Sequence, residues 1–232
     1  MKIAATSDLH GSLPEIEKCD LLLICGDISP LQIQRDINKM SEWMYTDFDP
    51  WIKGLDCDKV ILIGGNHDFW LDANNNGWQT PSEAEQTWNN LPMVIMEKLV
   101  ILNNSSYEYK GLKIYGTPEC KWISNHWAFM NDGEQLIKVY DNIPEGLDIL
   151  MTHEAPAIFG MNVSYESQYK PEFGSYQLAN AISEKKPKYS FCGHIHSGEH
   201  EPKTFDGTTY VNVSYKNEKY DPAYNIYYYE FI

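Results

Sequence analysis

Short apolar runs alternate with stretches of helical spacing along most of this chain. Ile3 to Thr6, Leu21 to Cys25, Val60 to Ile63, Ile149 to Thr152 and Tyr189 to Cys192 are each four or five residues long. Mostly aliphatic or β-branched, they read as strands buried on both faces. Between the second and third lies a predicted helix, with Ser29 as N-cap and Pro30 at its first position. Ile33, Ile37, Met40 and Met44 form its buried stripe. Thr80-Pro81-Ser82-Glu83 is a capping-box start for another helix. A third is expected from about Ser175 to Glu184, ending before Pro187. Alternation of this kind predicts an α/β core.

Elsewhere the pattern changes. Leu99 to Leu102, Tyr107 to Tyr109 and Leu112 to Gly116 read as strands joined by short polar turns. So do Glu201 to Phe205, Thr208 to Val213 and Ile226 to Phe231, with Asp206-Gly207 as a hairpin signal. These predict a second, partly antiparallel sheet packed against the first. Asn74-Asn75-Asn76-Gly77 is expected to be a mobile loop. Neither a repeat nor a linker-like stretch interrupts the chain, so a single domain over 1–232 is expected.

Composition narrows the class. Hydrophobic residues make up 43% and charged residues 22% of 232 positions, which is ordinary globular usage. Apolar runs fall well short of a membrane helix. The first residues, MKIAATSDLHG, turn polar too soon for a secretory leader and read as a first strand. A cytoplasmic location is expected. Five cysteines form no CxxC pair. Cys25 and Cys192, each before a glycine, read as small buried hydrophobes rather than ligands. The formal charge is −15, strongly acidic even after two divalent cations are added, so duplex nucleic acid is not an expected partner. Arg35 is the one arginine among 18 basic residues. It falls in the helix predicted after Ser29, so phosphate must be held mainly by metal, histidine, amide groups or lysine.

Five polar clusters stand at the carboxyl ends of the five predicted core strands. They are Ser7-Asp8-Leu9-His10-Gly11, Gly26-Asp27, Gly64-Gly65-Asn66-His67-Asp68, His153, and Gly193-His194-Ile195-His196. Ligands of open α/β sheets bind outside the carboxyl strand ends. Any one cluster is weak evidence, but five in order at strand ends are not. Carboxylate, amide and imidazole donors without thiolate suit Mn, Fe or Zn. Two such ions need a shared ligand, and a carboxylate can offer both oxygens. The pair would lower the pKa of a bridging water and neutralise phosphate oxygens. An unligated histidine can then protonate the leaving oxygen.

This pattern of D-x-H, G-D, G-N-H-D, a lone His and G-H-x-H resembles the calcineurin-like metallophosphoesterase superfamily. Gly111 to Pro118, Trp127-Ala128-Phe129, Ile143 to Gly146, Gly193 to Gly198 and Asp206 to Ser214 resemble its MPPED-like (metallophosphoesterase-domain) subfamily. The resemblance implies a four-layer α/β/β/α sandwich. It implies a first metal on Asp8, His10, Asp27 and His196, and a second on Asp27, Asn66, His153 and His194, with Asp27 bridging. It also implies His67 as general acid, oriented by Asp68. Glu154 departs from the pattern, since relatives usually carry a small or neutral residue there. Its carboxylate would either lie beside the second metal or turn to solvent.

The expected activity is hydrolysis of small phosphodiesters, nucleotides or cyclic nucleotides in particular. A single-strand nuclease, a phosphomonoesterase and a non-catalytic metal-binding scaffold stand beside it as alternatives. His67 argues for an enzyme, because a structural metal site has no need of it. His126 and His200 are expected in surface or packing roles. Phe69, Trp70, Trp122, Trp127, Tyr165 and Tyr169 flank the motif loops, where an aromatic face can stack a base, although most aromatics are core.

Overall fold

The computed structural model describes residues 1–72, 98–124 and 126–231. Its strands begin with β1 (Lys2–Thr6), β2 (Cys19–Ile24), β3 (Cys57–Ile63), β4 (Leu99–Leu102), β5 (Ser105–Tyr109) and β6 (Leu112–Thr117). They continue with the two-residue β7 (Cys120–Lys121) and β8 (Met130–Asn131), then β9 (Ile149–Thr152) and β10 (Tyr189–Cys192). The last are β11 (Lys203–Phe205), β12 (Thr208–Asn212) and β13 (Tyr227–Glu230). The helices are α1 (Ile37–Trp43), α2 (Asp49–Gly54), α3 (Gly133–Asp141) and α4 (Tyr176–Lys185), with a π-helical turn, Met44–Phe48, between the first two.

Two mixed sheets carry the architecture. The first runs β13-β1-β2-β3-β4, parallel except for β13; the second runs β11-β12-β10-β9-β6-β5 with a parallel centre. Side-chain alternation explains their packing. Along the first sheet Ile3, Ala5, Leu21, Leu23, Ile61 and Ile63 face Ile114, Ile149, Met151, Phe191 and Val211 of the second. The intervening residues Ala4, Leu22, Ile24, Val60 and Leu62 face Met40, Met44, Phe48 and Ile52 of the helical stretch. On the far side Tyr115, Leu150, Cys192 and Tyr210 meet Leu136 and Tyr140 of α3 and Leu178 and Ile182 of α4. These contacts make the expected α/β/β/α sandwich, and burial on both faces explains the continuous apolar runs.

Three expectations need correction. The five cluster-bearing strands do not share one sheet: β1, β2 and β3 lie in the first, β9 and β10 in the second. Leu99–Leu102 and Tyr227–Glu230 were expected in the second sheet but edge the first. A strand buried on both faces looks the same in either sheet, so periodicity cannot assign it. Ser29 does not cap a helix: α1 begins at Ile37, capped by Asp36, whose side chain accepts from the Lys39 N–H. The Ser29 hydroxyl is committed elsewhere, donating to Asp68 Oδ1 at 2.7 Å. In contrast, Ser175 caps α4 as expected, accepting from the Leu178 N–H. The Asn74 to Gly77 loop and the Thr80 helix fall outside the described residues. Among the described residues no helix is long and apolar enough to cross a membrane.

Candidate metal centre

Both sheets point the carboxyl ends of their central parallel strands to one side, where all five clusters meet. Backbone hydrogen bonds weld the loops together. Asp8 N–H donates to Gly26 O (3.0 Å), His10 N–H to Asp27 O (2.8 Å), and Gly193 N–H to His153 O (3.1 Å). Ser7 Oγ donates to Cys25 O at 2.8 Å. Asp8, His10, Asp27 and His194 all have positive φ, between 42° and 70°, a conformation that side chains other than glycine adopt only when their surroundings enforce it. A Cβ on Gly65 would collide with Asp27 Oδ1, and one on Gly193 with Ser7 and Asp8. Those two glycines let backbone approach the carboxylates closely.

Around this frame the side chains converge. Asp27 Oδ2 lies 3.3 Å from His153 Nε2, 3.7 Å from His10 Nε2 and 4.0 Å from His67 Nε2. His196 Nε2 is 3.3 Å from Asp8 Oδ1 and 3.2 Å from His10 Nε2. Asn66 Oδ1 is 3.0 Å from His153 Nε2. Among the described residues three groups could each hold a cation: Asp8 with His10 and His196, His10 with Asp27 and His67, and Asp8 with Asp27 and His153. His194 stands next to them, its ring 5.1 Å from that of His153 and its N–H on Asp8. All seven expected ligands and His67 are therefore in one place.

The donor set fits divalent cations. Donors about 2.0–2.2 Å from a shared ion lie ~3.0–3.5 Å from one another, close to the separations found. His153 Nδ1 lies 2.8 Å from Cys25 O and His196 Nδ1 2.8 Å from Asn217 O. A carbonyl only accepts, so each Nδ1 carries a proton and each Nε2 turns to the cluster, the arrangement that orients a ligating imidazole. The electrostatics agree. Burial would lower the His153 imidazolium, but the Asp27 carboxylate raises it to about 10. Asp8 similarly overrides burial at His196 and raises it to about 9. Against their own burial, Asp8 and Asp27 are held below the ordinary carboxylate range, chiefly by His196 and His153 respectively. The cavity between them favours positive charge. His10 and His194, which burial pushes down to about 3, are ready to act as neutral donors.

Asp68 has a different place from the one expected. It does not pair with the His67 ring. Its Oδ2 accepts the N–H groups of Asp27 (2.7 Å), Gly65 (2.9 Å) and Ile28 (3.3 Å), while Oδ1 accepts the N–H and hydroxyl of Ser29. The His67 ring instead meets Gln34, with Nδ1 2.6 Å from Oε1. Trp127 lies 4.6 Å from the His67 ring, and the Arg35 guanidinium covers Phe69 at 4.1 Å and Trp127 at 5.3 Å. Arg35 is thus in the turn before α1 rather than in a helix, and it covers the Trp127 ring that meets His67.

Sequence reasoning also missed Tyr220. Its ring stands 4.9 Å from that of His10, 5.3 Å from His196 and 6.3 Å from His67, roofing the cluster. Asp221-Pro222 signals only a turn there. Lys216, buried beneath, donates to His10 O at 3.3 Å. His200 packs on Tyr224 and pairs with His196 O (2.8 Å), and His126 is exposed, both outside the cluster as expected. Glu154 does not face solvent: it is buried and accepts the Lys121 N–H at 2.6 Å.

Comparison with known proteins agrees with this geometry. Residues 1–198 match the family model for calcineurin-like phosphoesterase. The chain is 28% identical to human metallophosphoesterase domain-containing protein 1, over 96% of its own length and 68% of that protein's. In fold it is similar to a phosphopantetheinyl hydrolase from Mycobacterium tuberculosis, at 14% identity and a TM-score of 0.56, covering 94% of this chain and 90% of that one. It is also similar to a dimetal phosphatase from Danio rerio, at 11% identity and a TM-score of 0.51, covering 96% and 89%. The five clusters, the two-sheet frame and the matched 1–198 span make the chain a member of the calcineurin-like phosphoesterase family, whose enzymes hydrolyse phosphoesters at a dinuclear divalent metal centre.

Proposed function

We propose that the protein hydrolyses small phosphodiesters, nucleotides or cyclic nucleotides in particular, at two cations of the Mn, Fe or Zn type. The carrying observation is Asp27: one buried oxygen faces His153, His10 and His67 at 3.3–4.0 Å, from both sides of the cluster. Asp8, His10, Asp27 and His196 would hold one cation, and Asp27, Asn66, His153 and His194 the other. Bound there, the cations would neutralise phosphate oxygens and supply a water of lowered pKa.

The chain's own residues do the rest. Asp68 fixes the backbone of residues 27–29 and so the aim of Asp27. Gln34 holds His67 Nδ1, which turns Nε2 toward the cluster. From that position His67 donates a proton to the leaving oxygen. Burial lowers the His67 imidazolium, and the negative charge of an arriving phosphate would restore it. Trp127 and Tyr220 shield the ring from bulk water.

Gly-Asn-His-Asp and the subfamily resemblance support a diester over a phosphoprotein, as does the single arginine. The test is turnover of bis-p-nitrophenyl phosphate against p-nitrophenyl phosphate with added Mn²⁺. The diester is expected to be the better substrate; a clear preference for the monoester would overturn this reading.

A further inference from the structure

A cavity of about 190 Å³ opens next to His194, on the side of the cluster served by the second sheet. It is lined by Lys121, Trp122 and Ile123 after β7, by Glu154 after β9, and by Glu172, Phe173 and Gly174 before α4. Neither His67 nor Tyr220 reaches it. At ~30 Å³ per water it has the room of about six waters, enough for one flat ring system and too little for a whole nucleotide.

Its walls are held in place. Lys121 N–H donates to Glu154 Oε2 (2.6 Å), Trp122 N–H to Asn131 O (2.7 Å), and Phe173 N–H to Asn162 O (2.8 Å). Three large apolar side chains are nevertheless kept in water around it: Trp122 is 53% exposed, Ile123 52% and Phe173 49%. Exposed apolar groups on a fixed rim mark a binding surface. The floor is the opposite in character. Glu154 is 1% exposed, and a carboxylate has about four acceptor positions, of which the Lys121 N–H takes one.

We propose that this cavity is a nucleobase subsite, which takes the group retained on phosphorus when the leaving group departs toward His67. The occupant is a purine that presents N–H donors, as guanine does along its N1 and N2 edge. Trp122 and Phe173 supply faces for the ring. Glu154 accepts from the donor edge, and Lys121 suits the acceptor edge at O6 and N7. An acetyl or methyl group is too small to span the cavity from the aromatic rim to the Glu154 floor. The inference rests on the diesterase reading, because a monoester retains no second substituent.

The test holds the leaving group constant. p-Nitrophenyl diesters of guanosine 5′-phosphate and of methyl phosphate share p-nitrophenolate and differ only in the retained group. The guanosine diester is expected to have about tenfold higher kcat/KM, the size of one stacked base. Trp122→Ala and Glu154→Gln should each shrink that ratio toward one, with Phe173→Ala as a second check on the aromatic wall. Calorimetry with guanosine alone supplies a readout free of turnover: binding to the parent protein, weakened by Trp122→Ala, is expected. If both diesters are cleaved equally well and guanosine does not bind, the subsite is wrong and the diesterase reading survives. If only p-nitrophenyl phosphate is cleaved while guanosine binds, the diesterase reading falls and takes the retained-group role with it, leaving only a guanosine-binding cavity. Binding of choline in preference to guanosine would overturn the assignment of the occupant.

Discussion

Asp27 and Asp68 are both fully buried carboxylates in neighbouring loops, yet the protein treats them in opposite ways. Asp68 is saturated by three backbone N–H groups of the Asp27 loop, one from Gly65 and the Ser29 hydroxyl. Burial and the nearby Asp27 charge raise it to about 6. Asp27 has one oxygen tied to the His67 N–H (2.8 Å) and leaves the other facing imidazoles. One carboxylate is spent on building the loop, and the other is kept open for a cation. The difference teaches that burial alone does not identify a ligand; what matters is whether the donors around a carboxylate come from the backbone or from side chains that can themselves bind metal.

Removing each carboxylate should therefore break a different property. Asp27→Ala should lower metal affinity by more than ~100-fold, since loss of even an outer partner of a ligand costs about 10–100-fold. Elemental analysis would show fewer than two cations per chain, and turnover should be lost. His67→Asn, which leaves the Asp68 network and all seven expected ligands in place, should cost about 10²–10⁴-fold in kcat with metal content unchanged. If kcat stays within a few-fold of the parent, His67 is not the acid. Asp68→Ala leaves several buried N–H groups without an acceptor and should cost roughly 3 kcal/mol, readable by denaturant melts of the metal-free protein.

The smallest effect is a pH dependence. In the metal-free protein His153 and His196 sit at about 10 and 9, above the ordinary 6.5. The folded form thus binds more protons than the unfolded one, and stability falls as pH rises. Their contribution is complete below pH 6.5 and should be lost through pH 9–10, seen as a declining Tm after chelation. With cations bound, the imidazoles are neutral ligands and that decline should flatten.

The same contrast marks what the chain's residues make legible. Buried strands and their polar ends are readable because each is a local pattern: Ile3 to Thr6 before Asp8, or Tyr189 to Cys192 before His194. So is the Ser175 cap, since its partner is three residues away. The partition of strands between sheets is not readable, because Ile149 and Ile61 have the same apolar surroundings on either sheet. Gln34 and Tyr220 reach His67, and Arg35 reaches Trp127, only through tertiary folding, and none belongs to a recurring motif. Ser29 is the instructive failure. It has the residue type of a helix cap, but the acceptor that claims it, Asp68, lies 39 positions away.

The central claim is that two cations share Asp27 and that turnover needs both. It is tested most directly by titrating chelator-treated protein with Mn²⁺ while following bis-p-nitrophenyl phosphate hydrolysis and bound metal together. Activity is expected to stay low through the first equivalent and to rise with the second, reaching a plateau at two cations per chain. Full activity at one equivalent, or two tightly bound cations with no hydrolysis of any phosphoester, would contradict it.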